Sequence, residues 1–300
     1  MCYNERVNRR SAGLLWIASA AVLWGTDPVL RRPLAGALGP TQIVFYEHLI
    51  LLAVVLPVLF REAAFLSKLS ARAWTALLGT AWLGSALATI LFTAALRAGN
   101  PTTAVLLQKT QPFFAIALAR IVLRERWQAS FLYLAAAGIA GAYLVAFGNG
   151  NLLAPAFSVE RWPAVLALGA AAGWGFATVF GRIVIAEVPF ELVTALRIAF
   201  ALPLLFVAAA VQKQTAAPSL PQAGSLIWLA LIPGFAALML YYRGLRESPA
   251  VKATIAELAF PVTASLLNWY VLGVDVAPLQ IAGFAVVWAA IFGLSYSKIN

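Results

Sequence analysis

The chain has 300 residues, of which 63% are hydrophobic and only 11% charged, whereas a soluble domain carries roughly 25% charged residues. Its net charge of +10 would suit nucleic acid if the Lys and Arg formed a run or stripe, but most stand between apolar segments, as loop charge does in a membrane protein. The single Cys2 excludes an intrachain disulfide or thiolate cluster, and the single His48 excludes an HExxH metal site.

Ten apolar spans can be drawn, at 13–31, 40–60, 73–97, 101–123, 128–147, 162–185, 189–211, 224–246, 249–272 and 278–297. Each approaches the roughly 20 residues that a spanning helix needs. The first follows Arg6, Arg9 and Arg10 and has Trp24-Gly25-Thr26-Asp27 where a cleavage site would stand, so it reads as a retained helix. The polar stretch 148–161 divides the chain almost in half. With the N-terminus in the cytoplasm, the inner regions hold 14 Lys and Arg. The outer regions hold 5, namely Arg31, Arg32, Arg97, Arg161 and Lys213. That asymmetry places both termini inside. Arg31 and Arg32 are the local exception and are expected to snorkel to the outer headgroups.

An internal repeat organises the chain. Trp24-Gly25 in the first span matches Trp174-Gly175 in the sixth, and Gly39-Pro40 matches Val188-Pro189. The stretch from Leu96 to Arg126 matches that from Leu245 to Asp275, sharing Pro112 with Pro261 and a polar position at Gln108 and Glu257. The expected fold is therefore an all-α integral membrane protein of ten transmembrane helices in two five-helix repeats, residues 1–150 and 151–300. Five is odd, so the repeats lie inverted in the membrane, an architecture of transporters with a site near the midplane.

Polar groups inside the spans are the candidate site residues, because a buried charge in a bilayer needs a partner or a cavity. Asp27 shares a helix face with Trp24 and reads either as an acid paired with Arg31 or Arg32, or as a wall of the pathway that gates or titrates. Tyr46, Glu47 and His48 lie mid-span in the second helix, as a proton relay or as a satisfied hydrogen-bonded set. Lys109, with Gln108, interrupts the fourth span and reads as cavity lining or as a partner of Glu47. Arg197 in the seventh span aligns with Glu47 or His48, and a Glu257–Arg197 pair would make a gate or a fixed ion pair. Trp82, Trp174 and Tyr241 are further aromatic candidates for the wall, with ordinary packing as the alternative. No Gly-rich phosphate loop, nucleophile triad or clustered catalytic set is present, so neither an enzyme nor a resident cofactor or metal is expected.

The Leu23-Trp24-Gly25 opening, the Pro112-Phe113-Phe114 to Leu123-Arg124-Glu125-Arg126 segment and the two-fold repeat resemble the EamA branch of the drug/metabolite transporter superfamily, over almost the whole chain. Within it the chain resembles the bacterial amino-acid exporters of the YddG type. The resemblance implies a ten-helix inner-membrane exporter of amino acids and related metabolites, working without ATP. It implies a central cavity walled by helices one to four and six to nine, with five and ten peripheral, and an interfacial structural role for Glu125. Glu47-His48 departs from the family, many of whose members carry Arg in the second helix.

Together these readings give a monomeric secondary carrier, embedded in lipid, that exports amino acids or related small metabolites by alternating access. Its expected substrate site is Trp24, Tyr46, His48, Trp82, Gln108, Lys109, Trp174, Tyr241 and Glu257, with Asp27, Glu47 and Arg197 for gating or coupling. Lys109 and Glu257 would read the two ends of a zwitterion. An exporter of cationic drugs or nucleotide sugars, and a passive channel, are the competing readings.

Overall fold

Proline, glycine and the cost of an unpaired backbone group in lipid decide where these helices start, break and stop. In the computed structural model, residues 2–123, 129–147, 161–247, 256, 257 and 259–296 are described, and among them there is no strand. The 150/151 repeat boundary and Glu125 lie outside the described residues. Among the described residues six segments are long and apolar enough to cross a membrane: Gly13–Ala37, Pro40–Arg61, Ala71–Ala98, Trp162–Ile185, Phe190–Val211 and Leu220–Gly244. Shorter apolar helices accompany them. Large apolar side chains such as Leu15, Phe206, Trp228, Leu266 and Tyr270 face outward, a surface that suits lipid rather than water.

The first span is two helices, α1 (Cys2–Trp24) and α2 (Asp27–Ala37). Pro28 lacks the N–H that would bond the Trp24 carbonyl, so the helix breaks at Gly25-Thr26. The second is α3 (Pro40–Arg61). The third is α4 (Ala71–Gly79) and α5 (Thr89–Ala98), joined by a π-helical stretch, Thr80–Ala88. Expected as one helix, span 101–123 is in fact two, α6 (Pro101–Gln108) and α7 (Gln111–Leu123). Pro112 has no N–H for the Gln108 carbonyl, and the chain closes instead through Lys109 N–H to Leu106 O and Thr110 N–H to Leu107 O. Next comes α8 (Ala129–Phe147).

Beyond residue 160 run α9 (Trp162–Ile185), α10 (Phe190–Val211), α11 (Leu220–Leu229) and α12 (Ala237–Glu247). A second π-helical stretch, Ala230–Ala236, joins α11 to α12 and contains Pro233. The last helices are α13 (Ala259–Leu272) and α14 (Pro278–Tyr296). Pro261 repeats the device of Pro112: it cannot serve the Glu257 carbonyl, which accepts from Phe260 N–H at 3.1 Å.

Packing relies on small residues, as it does between membrane helices. A β-carbon on Gly25 would stand 2.6 Å from Thr263 Cβ, and one on Gly175 would stand 2.9 Å from Phe114 Cβ. Each Trp-Gly pair therefore seats its helix against the proline-broken helix of the other half: α1 on α13, and α9 on α7. Polar clasps bind the two ends of the bundle. At one, Thr41 Oγ1 donates to Gln212 Oε1 and Gln42 Nε2 donates to the Ala216 carbonyl. At the other, the Ser70 N–H and hydroxyl both donate to the Glu187 carboxylate at 2.8 Å. Those bonds hold the exposed Glu187 carboxyl below the usual carboxylate range. To one side, α8 and α14 pack on each other, with Gly141 against the Gly283 carbonyl.

Candidate functional site: a charged, aromatic cavity

A cavity of about 1180 Å³ of empty space, counting its mouth, lies among the broken helices. The first, second, third and fourth spans contribute to its wall, as do α9, α10, α12 and α13, but among the described residues none of α8 or α14 lines it. Both π-helical stretches reach it, through Ser85 in one and Pro233-Gly234 in the other. A π turn carries an extra residue, which swings the following side chains to a new face, and such turns concentrate at functional sites.

Two broken helices deliver the ion pair at its centre. Lys109 follows the C-terminal end of α6, where helix carbonyls favour a cation, and Glu257 precedes the N-terminal end of α13, where helix N–H groups favour an anion. Lys109 Nζ stands 3.9 Å from Glu257 Oε2 and 4.5 Å from the centre of the Phe260 ring. The Tyr241 hydroxyl lies beside the same carboxylate. Gln108 also lines the cavity, and its side-chain oxygen is buried without a hydrogen bond among the described residues.

A second charged cluster stands on α2 and α3. Arg31, 2% exposed, bonds Asp27 Oδ2 at 2.6 Å and Glu47 Oε2 at 2.8 Å, and donates to Thr93 Oγ1 at 3.2 Å. Two carboxylates share one guanidinium there. His48, beside it on α3, has Nδ1 at 2.9 Å from the Val44 carbonyl, which leaves Nε2 for the cavity. Arg197 on α10 is held differently, by hydroxyls: Nε donates to Ser85 Oγ at 2.8 Å and Nη1 to the Tyr242 hydroxyl at 2.9 Å.

The aromatic lining forms two groups. Trp24 packs on Tyr241 with ring centres 5.0 Å apart, and Tyr241 continues to Tyr242 at 5.7 Å. Phe92 meets Trp174 edge-on at 5.3 Å.

Most of the expected site residues line this one cavity: Trp24, His48, Gln108, Lys109, Trp174, Tyr241 and Glu257, together with Asp27, Glu47 and Arg197. Tyr46 and Trp82 do not. Tyr46 turns away to donate its hydroxyl to the Thr215 carbonyl, and Trp82, 45% exposed, faces outward and donates Nε1 to the Phe200 carbonyl. Pairings also differ from expectation. Glu47 pairs with Arg31, so Lys109 turns to Glu257. Arg197 is bonded to Ser85 and Tyr242 rather than to Glu257. Arg31 does not snorkel; it is buried inside the bundle. The i, i+4 spacing of Asp27 and Arg31 was the sequence signal for that pair. Ser85, Thr89, Phe92 and Thr178 line the cavity with no such signal.

An all-helical chain with apolar spans, an outward apolar surface and a polar cavity inside is the architecture of a multi-pass membrane transporter. Comparison with known proteins makes the class specific. Residues 11–147 and 161–296 each match the EamA-like transporter family, and the chain belongs to that family. It is a transporter and not an enzyme. A riboflavin transporter, ImpX, of Fusobacterium nucleatum subsp. nucleatum is 31% identical over 301 residues, covering 96% of this chain and 98% of that protein. A protein of known crystal structure superposes with a TM-score of 0.64 at 20% identity, over 95% of this chain and 96% of the other, so the two share a fold.

Proposed function

We propose that this chain is a secondary carrier for a planar, flavin-type metabolite, with riboflavin the first to test, moved by alternating access through the central cavity. The observation that carries this reading is that the Trp24–Tyr241 and Phe92–Trp174 pairs line one cavity together with hydrogen-bonding groups. Aromatic faces hold a flat ring system by stacking, and a few polar groups fix its orientation. The similarity to a riboflavin transporter over nearly the whole of both chains supports the same substrate class.

The transport cycle rests on a ten-span, two-repeat arrangement. Its support is the double family match, in segments of nearly equal length, and the odd number of spans read in each half. Inverted halves offer a physical basis for rocking about a shared midplane site. The loop charges support both termini in the cytoplasm; the reading keeps the chain a monomer in a bacterial inner membrane. Asp27, Glu47 and Arg31 are the candidate coupling group, because they concentrate charge at one wall of the pathway.

Export of an amino acid or related zwitterion is the second reading, favoured by the presence of Lys109 and Glu257 in the same cavity. Against it, the two side chains stand 3.9 Å apart and partly neutralise each other, so a zwitterion would have to separate them. Counterflow in proteoliposomes decides. Liposomes preloaded with unlabelled riboflavin should accumulate external labelled riboflavin saturably, in either loading direction, and loading with amino acids should not drive it. Counterflow of amino acids with none of riboflavin would replace the first reading by the second. Steady conductance without counterflow would favour a channel.

A further inference from the structure

The three cations of the cavity are not equivalent. Arg31 has Asp27 and Glu47, and Lys109 has Glu257, but Arg197 takes part in none of the ion pairs among the described residues. Its guanidinium is fixed nonetheless, since the Ser85 and Tyr242 hydroxyls accept from Nε and Nη1. Hydroxyls orient a cation without cancelling its charge. Of five N–H donors, these bonds occupy two, and among the described residues Nη2 has no acceptor. Gly84 lies near Nη2, where a β-carbon would be in ordinary contact at 3.4 Å; the close approach that requires the glycine is to the Ala177 β-carbon on α9. The π-helical turn that contains Gly84 presents Ser85 to the fork.

We infer that Arg197 is the specificity residue of this carrier, and that its free N–H groups bind the electron-rich carbonyl edge of a flavin-type ring, an inference that rests on the flavin reading above. The guanidinium is a planar fork suited to two acceptors on one edge. A flavin offers two such edges, each a carbonyl oxygen beside an unprotonated ring nitrogen, O4 with N5 and O2 with N1, and either matches the fork. The aromatic walls lie in the same cavity, so the ring can stack while its edge is read. A carboxylate would satisfy the same fork but would leave those aromatic faces without a ring.

The test is binding of riboflavin and of lumiflavin, which keeps the isoalloxazine ring and carries methyl in place of the ribityl chain, to purified protein in lipid nanodiscs, followed by quenching of flavin fluorescence. Arg197→Met should weaken both ligands by about 10- to 100-fold, the range for losing a hydrogen bond to a charged group. Arg197→Lys keeps the charge but not the fork, and should weaken both by at least about tenfold. It carries the test alone if the Met variant does not accumulate as folded protein. Three results overturn the inference alone: binding within about threefold of the unaltered protein in the variants tested, a loss for riboflavin without a loss for lumiflavin, or full rescue by Lys. If the unaltered protein binds neither ligand, the flavin reading itself fails and takes this inference with it.

Discussion

The two family-matched segments, residues 11–147 and 161–296, use the same backbone devices and opposite electrostatics. Each has a Trp-Gly pair seated on the other's broken helix, a proline that breaks that helix at a polar residue, and a π-helical turn that reaches the cavity. The first segment brings three charges to one cluster, Asp27, Arg31 and Glu47, hydrogen-bonded together with Arg31 and Glu47 buried and Asp27 partly so. The second brings Arg197, bonded to hydroxyls alone, and Gly181 stands where Arg31 stands in the first. Shared features set helix packing, and features that differ set the chemistry of the cavity. This division is what mutations can break.

The largest effect belongs to the unshared cluster. Arg31→Met leaves two buried carboxylates without their cation and should cost about 3–5 kcal/mol, read as a lower unfolding temperature of the purified protein. Gly181→Ala should leave unfolding unchanged, because its β-carbon would have 3.5 Å to the Tyr242 hydroxyl. Equal sensitivity at the two positions would erase the contrast.

The shared packing should respond alike in both halves. Gly25→Ala and Gly175→Ala each push a methyl into a neighbouring helix and should each cost about 1–3 kcal/mol. A loss at one and not the other would show that the Trp-Gly pairs are not equivalent. Smaller still is the Lys109–Glu257 coupling. A cycle of Lys109→Gln, Glu257→Gln and the double variant should give about 0.5–1 kcal/mol, the low end for contacting residues, because the pair stands at 3.9 Å. The singles should slow riboflavin counterflow, and the double should recover part of it.

The smallest effect lies outside the membrane, at Glu187. The Ser70 bonds favour its ionised form, so its carboxyl is depressed in the folded protein. The clasp then stabilises above the ordinary carboxylate range and is lost as pH falls through that range and below it. In Glu187→Gln the part of the pH dependence of unfolding that arises here should vanish.

Much of the fold was legible because apolar spans and prolines act locally. Pro112 and Pro261 mark breaks wherever the chain runs through lipid, and Trp24-Gly25 and Trp174-Gly175 announce a repeat. Lys109 and Glu257 stood out because a charge in mid-span demands a cavity or a partner. Partner choice was not legible. Arg31 sits near the end of an apolar run, where a cation reads as a boundary marker, and only the fold carries it inward to Glu47. Trp82 failed for a different reason: an aromatic ring in mid-span suits lipid as well as a cavity, and the helix rotation decides. Ser85 had no signal at all, since the first π-helical turn contains no proline to reveal it.

Riboflavin counterflow through a plugged cavity tests the central claim most directly. Gly181 lines the cavity and has space for a β-carbon, so Gly181→Phe should project a ring into the pathway. The account predicts saturable riboflavin counterflow in the unaltered protein and its loss, to the rate of empty liposomes, in a folded Gly181→Phe variant. Riboflavin counterflow at the unaltered rate in that variant would contradict it.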